Sequence, residues 1–230
     1  MNKKTVNMER RTEWVKCISV VLLSLAIYYS KSAFDTVTFI GYHHASGIVD
    51  VGHYYIPMAE KLFSKSTTEW LVWIGTVPLQ LFNLLILAYV LFTGRGCRLA
   101  LCLFAVNWMH WLFYHFTVLP FPDGMFWGFP PGAFSFVPDS NQLTPDFWFS
   151  GHTAQVMLIL LAAFETRYLW FKITMLLVMV AEILLLLSTR GHYSIDIIGA
   201  IFVSYSVYKF SYTLEPYAKR VIKKIVQIIS

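Results

Sequence analysis

A chain of 230 residues leaves room for one domain or two, but 57% hydrophobic and 13% charged residues set it far from soluble composition. That balance points to a lipid bilayer, and an aromatic content of 17% fits helices that meet two membrane interfaces as well as a lipid core. The net charge of +5 is distributed between apolar stretches instead of on one face, which excludes nucleic acid as a partner. Cys17, Cys97 and Cys102 fall at or inside apolar stretches, so neither a disulfide scaffold nor a zinc site has support.

Residues 1–16 are basic and precede an apolar run, the layout of a signal peptide. No small-residue cleavage site follows, and Tyr28-Tyr29-Ser30-Lys31 is a poor peptidase site, so a retained first helix is expected. A span needs about 20 mostly apolar residues to cross the hydrocarbon. Six stretches meet or approach that, near 15–36, 70–92, 97–118, 147–165, 168–189 and 194–212. Polar segments at 37–69 and 119–146 alternate with short turns such as Thr93-Gly94-Arg95-Gly96, and no internal repeat is visible. The expected fold is all-α, a six-transmembrane-helix bundle forming a single integral membrane domain over 1–230.

Lys and Arg set the orientation. Five lie in the N-terminal tail, two near Arg95, two between Glu165 and Lys172 and five at the C-terminal end, 14 of 18 on one side. The positive-inside rule then puts both termini in the cytoplasm and the 37–69 and 119–146 loops and the Arg190-Gly191 turn outside. The tail 215–230 alternates Lys219, Arg220, Lys223 and Lys224 with Val221, Ile222, Ile225, Val226 and Ile229, the pattern of an interfacial anchor. Compact loops and short tails suggest a bacterial inner membrane, with the outer face periplasmic.

Two segments carry residues able to do chemistry. Phe149-Ser150-Gly151-His152-Thr153 opens the fourth span and Arg190-Gly191-His192-Tyr193-Ser194-Ile195-Asp196 opens the sixth, both on the outer face. His192 and Asp196 stand four apart, so on a helix they share a face and the carboxylate can accept the imidazole N–H. The other ring nitrogen can then attack phosphorus, while His152, protonated, donates to the departing oxygen. Ser150 and Gly151 at a helix start form a phosphate cradle, and Arg190 adds a planar cation for phosphoryl oxygens. An isolated interfacial histidine is usually structural. Two at same-side helix starts beside an arginine favour catalysis.

With these residues in hand, the chain resembles the integral-membrane branch of the type 2 phosphatidic acid phosphatase superfamily, and most the sphingomyelin synthases and related sphingolipid synthases. The resemblance runs through Asp50-Val51-Gly52-His53-Tyr54-Tyr55-Ile56-Pro57, Thr117-Val118-Leu119-Pro120, Asp146-Phe147-Trp148-Phe149-Ser150-Gly151-His152-Thr153 and His192-Tyr193-Ser194-Ile195-Asp196. The last two are specific and the first suggestive. The resemblance implies His152 as general acid and His192 with Asp196 as the nucleophile pair, Ser194 standing where the family has threonine. It also sets Asp146 at an acidic position able to orient His152 or a headgroup. The basic motif that precedes S-G-H in the phosphatase branch is missing, as 106–120 contains no Lys or Arg. With Arg190 alone nearby, a singly charged phosphodiester is better balanced than a dianionic monoester.

The expected activity is transfer of a phospholipid headgroup through a phosphohistidine, from a phospholipid donor to a lipid hydroxyl or water. The alternatives are a lipid phosphate phosphatase and a non-catalytic lipid-binding or lipid-translocating protein. No cofactor is expected, and no metal is assigned, because His43, His44 and His53 have no clustered carboxylates or cysteines at ligand spacing. Glu182, in mid-span, is expected to bond Asn107, His110 or His115 on the third span. Phe121, Phe126, Trp127, Phe129, Phe134, Phe136, Phe147, Trp148 and Phe149 suit either an interfacial belt or a cage for a choline-type cation.

Overall fold

The computed structural model describes residues 48–93, 97–114, 121–133 and 149–229, and these contain helices and no strand. Two short helices, α1 (Val51–Tyr55) and α2 (Ala59–Leu62), precede five longer ones: α3 (Lys65–Thr93), α4 (Cys97–Tyr114), α5 (Gly151–Glu165), α6 (Leu169–Ser188) and α7 (Ser194–Ile229). Among the described residues three stretches can cross a bilayer by length and composition, Lys65–Ile86, Leu169–Ser188 and Ser194–Leu214, and α5 is apolar but shorter. Large apolar side chains stand exposed on them, as a lipid-facing surface requires: Leu177 on α6 and Phe202 on α7 are 64% and 68% exposed.

α5 sits at the centre, packed against α7, α6 and α4. Small residues let the backbones approach, Ala154 on α5 and Ala200 on α7 being fully buried in one cluster with Cys102, Leu103, Val106, Phe149, Leu158 and Tyr208. The Ser204 hydroxyl donates to the Ala154 carbonyl at 3.0 Å, a helix-to-helix bond inside this layer. Val156, Leu160 and Met179 join α5 to α6, and Leu186, Leu187 and Ile197 join α6 to α7. At the C-terminal end of α5, Arg98 of α4 binds Glu165 and the Tyr208 hydroxyl and lies 3.9 Å from the centre of the Tyr212 ring. One guanidinium thereby ties α4, α5 and α7 together.

Within the described residues the boundaries differ from expectation in three places. The stretch expected near 15–36 lies outside the described residues, as do 115–118 and 147–148. The 37–69 segment contains α1 and α2, and α3 begins at Lys65. The fourth helix starts at Gly151, because Phe149 has φ +87° and Ser150 is extended. The last span and the tail are one helix of 36 residues with Pro216 inside it. A proline removes a single N–H donor, and the helical alternation of basic and apolar residues continues past it.

Ala200 has no spare volume around it. Ala200→Leu is expected to cost about 1–3 kcal/mol by overpacking, read as a lower thermal midpoint of the detergent-purified protein. Phe202→Leu on the exposed face should leave that midpoint within error.

Candidate active site

The site is built where the starts of α5 and α7 meet. Ser150 caps α5, its hydroxyl accepting from the Thr153 N–H at 3.2 Å, while its own N–H donates to the Asp196 carbonyl at 3.1 Å. Serine at this position satisfies one orphan donor of its own helix, and its backbone fastens that helix to the first turn of α7. Phe149, which must turn the chain into the cap, keeps its left-handed conformation because its carbonyl is held by His110 Nδ1 at 2.8 Å and its ring is buried. It belongs to the core and not to a headgroup cage.

Asp196 and His192 are paired, by a different route from the one their spacing suggests. α7 starts at Ser194, so His192 precedes the helix. Asp196 reaches back as the third residue of the helix, its Oδ2 accepting from the Tyr193 N–H at 2.9 Å, the reciprocal arm of a capping box. The same oxygen lies 3.5 Å from His192 Nδ1. The carboxylate is fully buried and the imidazole nearly so, at 0% and 10% exposure, and Asp196 Oδ1 has no hydrogen-bond partner among the described residues.

Arg190 adopts φ +56°, the left-handed region, and is 8% exposed. Its Nη1 donates to the Leu187 carbonyl at 2.9 Å and its Nη2 to the His53 carbonyl at 2.6 Å. Two of its five N–H donors are thus spent on backbone, which fixes the guanidinium and leaves the others for an anion. Trp127 spans both halves of the site: its ring lies 5.5 Å from that of His152, and a Cβ at Gly191 would stand 3.2 Å from it. The backbone bond from the Phe126 N–H to the Thr189 carbonyl, 2.8 Å, carries this tryptophan. The indole N–H is buried without a partner among the described residues.

A segment that the sequence marked only as suggestive supports the second helix start. Asp50 caps α1 by accepting from the His53 N–H at 3.0 Å, and its carboxylate also accepts from the Ser194 N–H and hydroxyl, both at 2.8 Å. The Ser194 hydroxyl accepts in turn from the Gly52 N–H at 3.1 Å, and a Cβ on Gly52 would stand 2.2 Å from that oxygen. His53 Nε2 donates to the His192 carbonyl at 2.8 Å, since a carbonyl only accepts. Burial pushes the Asp50 carboxyl up, but hydrogen bonds from His53 and Ser194 outweigh it and hold it below its ordinary range. Burial also pushes the His53 imidazole down, against the pull of its bond to His192 and of Asp50.

Of the residues expected to act, His152, His192, Asp196, Arg190, Ser150 and Gly151 are all at this junction, and Asp146 lies outside the described residues. Ser150 is fully buried by its capping role, so Gly151 and His152, both half-buried, form the more open side of that helix start. What approaches Gly151 is His110, whose Nε2 lies 3.5 Å from where its Cβ would be. Asp50 and His53 were visible only in the suggestive stretch Asp50–Pro57, His110 only as a candidate partner of Glu182 and Trp127 only within the aromatic belt or cage, with no role at this junction expected for any of them. His115, one of the three partners expected for Glu182, lies outside the described residues. Among the described residues Asn107 bonds Leu103 and Gln155, His110 bonds Phe149, and Glu182 faces α3, its Oε2 3.1 Å from the Cβ position of Gly75. The room that glycine leaves on α3 takes the buried carboxyl instead.

No curated protein and no solved structure matches the chain. Residues 145–214 match the family described as PAP2 superfamily C-terminal. The two joined helix starts, with Arg190 and His192 in the turn between α6 and α7, lie within the segment that this family model matches.

Proposed function

We propose that the protein is a phospholipid headgroup transferase of the outer membrane face, acting through a phosphohistidine. The observation that carries this reading is the Ser150 to Asp196 backbone bond, which joins the helix start bearing His152 to the one bearing His192 and Asp196. Because Nδ1 of His192 is turned toward Asp196, attack falls to Nε2. The new bond runs from Nε2 to phosphorus as the bond to the diacylglycerol oxygen breaks, and that oxygen takes the proton carried by His152. A second hydroxyl, from a lipid or water, then attacks phosphorus, the phosphorus–nitrogen bond breaks, and the hydroxyl proton passes to His152. Arg190, held in place by two backbone carbonyls, and the N–H groups of the α5 start oppose the charge on the phosphoryl oxygens.

The six-span arrangement over 1–230 with both termini in the cytoplasm belongs to the same reading, supported by the lysine and arginine distribution and by three helices able to cross. Lipids enter laterally between helices. A phosphatase acting on phosphate monoesters is the second reading, favoured by the family of the matched segment. The two part on acceptor dependence: a transferase makes a new phospholipid only when a lipid alcohol is supplied, and a phosphatase releases phosphate without one.

His192→Ala is expected to abolish turnover of headgroup-labelled phospholipid, and Asp196→Asn to lower it by about 10²–10⁴-fold, the range for loss of a positioned acid–base partner. Product separation from membranes holding each variant measures both. A brief incubation of the wild type with phosphorus-labelled donor should leave acid-labile label on the protein, absent from His192→Ala.

The strap from Asp50 to His53 gives a pH dependence. Because the imidazole of His53 is held below its ordinary value of 6.5, the unfolded chain binds the proton more readily, so the strap loses stability as pH falls below about that value. Asp50, also held below its ordinary 3.8, adds a further loss as pH falls through that region. Hydrogen exchange at 50–56 should therefore quicken, relative to α5, between pH 7 and pH 5. His53→Gln should flatten that step and spare the more acidic one.

A further inference from the structure

α1 has five residues, and its backbone is bonded as in a place without water. The Gly52 N–H donates to the Ser194 hydroxyl at 3.1 Å and the His53 N–H to the Asp50 carboxylate at 3.0 Å. The Tyr54 N–H donates to the Asp50 carbonyl at 3.1 Å and the Ile56 N–H to the Gly52 carbonyl at 2.9 Å, and residue 57 is a proline with no N–H. On the acceptor side, the His53 carbonyl takes a bond from the Arg190 guanidinium. A surface loop can leave such groups to water, whereas a segment in lipid must pair them within the protein.

The height of α1 in the bundle agrees. A Cβ on Gly52 would stand 3.1 Å from Leu187 Cδ2, and Ile56 packs against Leu186, Leu187 and Ile197. Leu187 is next to the last residue of α6 and Ile197 is in the first turn of α7, so α1 stands level with the ends of two spans and not beyond them. Its other side carries Val51, Tyr54 and Tyr55 at helical spacing, with Tyr54 and Tyr55 80% and 76% exposed. Leu184, Ile195 and Ile198, close to the same ends of α6 and α7, are exposed and apolar too, so this side continues the lipid-facing surface. Tyrosine suits such a boundary, because its ring enters the acyl layer and its hydroxyl stays among headgroups. A second copy of the chain is a poor occupant: a stable dimer buries about 1,200 Å² or more, far beyond what so short a helix presents.

We infer that α1 is a membrane-docking element, with Val51, Tyr54 and Tyr55 in the interfacial layer of the leaflet at this end of the bundle and Gly52 and His53 holding the turn between α6 and α7. The sequence assigned this stretch to a polar loop, and the structure puts it between lipid and site. The bilayer thereby bears on the position of Arg190 and His192, through the carbonyl and the imidazole of His53. The inference concerns where α1 lies and does not depend on the proposed reaction.

The test locates α1 in the full-length protein reconstituted into phosphatidylcholine nanodiscs. A nitroxide is attached at Tyr54→Cys after Cys17 and Cys97 are replaced by serine, Cys102 being buried. Its relaxation by oxygen, which concentrates in lipid, is compared with its relaxation by a water-soluble nickel chelate, and Phe202→Cys on the exposed face of α7 gives the lipid reference. The label at position 54 should respond to oxygen above nickel, at a shallower depth than the reference. A response like that of a label in water overturns the inference. Shielding from both reagents overturns it as well, because protein then covers the face. Hydrogen exchange at 50–56 in the same nanodiscs, at neutral pH, is the second readout. Tyr54→Ser with Tyr55→Ser should quicken it about tenfold relative to α5, the effect of losing roughly one buried apolar side chain. Tyr54→Trp with Tyr55→Trp keeps rings that favour the boundary and should leave exchange slow. Unchanged exchange in the folded serine variant overturns the inference. Gel filtration and circular dichroism score folding; should the serine variant fail them, Val51→Cys, labelled in the same way, carries the test.

Discussion

The bond from the Ser150 N–H to the Asp196 carbonyl fixes the rest of the site. A helix start in an apolar bundle has donors that no water will satisfy, and each must find an acceptor within the protein. α5 meets part of this demand with the Ser150 hydroxyl, and α7 with the Asp196 carboxylate reaching back to Tyr193. The two capping solutions share residues: Asp196 serves its own helix through its side chain and the neighbouring one through its carbonyl. Satisfying the backbone thus brings the helix start that bears His152 to the one that His192 precedes.

Around that junction the structure is held from two sides. Toward the outer loops, Asp50, His53, Ser194 and Arg190 form a continuous set of bonds. At the far end of α5, Arg98 gathers Glu165 and two tyrosines. Between these clasps the contact of α5 with α7 depends on Ala154, Ala200 and Ser204, where closeness of backbones replaces side-chain bulk. Stiffness at both ends suits the proposed reaction, in which one nitrogen of His192 both takes up and releases phosphorus while His152 moves the proton.

How much of this the sequence contained depends on the range of the interaction. His152, His192 and Asp196 were legible because their motifs are local, and so were the apolar helices, whose length and composition need no partner. The reason for the His192–Asp196 pairing was not: four residues apart suggests one helical face, whereas the helix starts between them and a capping box closes the distance. Glu182 was read against the third span because polar residues were available there; among the described residues its carboxyl stands at Gly75 of α3, a contact that no local pattern marks. Asp50 and His53 lie more than 130 residues from Ser194, His192 and Arg190, and no periodicity links segments so remote. The left-handed Phe149 and Arg190 were equally hidden, since tertiary bonds and not residue type hold them there.

Gly52 and Ser194 carry a consequence for how such a chain can change over generations. The glycine N–H donates to the serine hydroxyl, and any side chain at position 52 would occupy the space of that oxygen. The two positions are therefore not free to drift separately. A substitution at 52 becomes tolerable only after the hydroxyl at 194 has been given up, and losing the hydroxyl first takes one of two donors from Asp50 Oδ1 and leaves the Gly52 N–H without its acceptor. The order of permitted substitutions is constrained at a contact more than 140 residues apart in sequence, so this pair should change together or not at all.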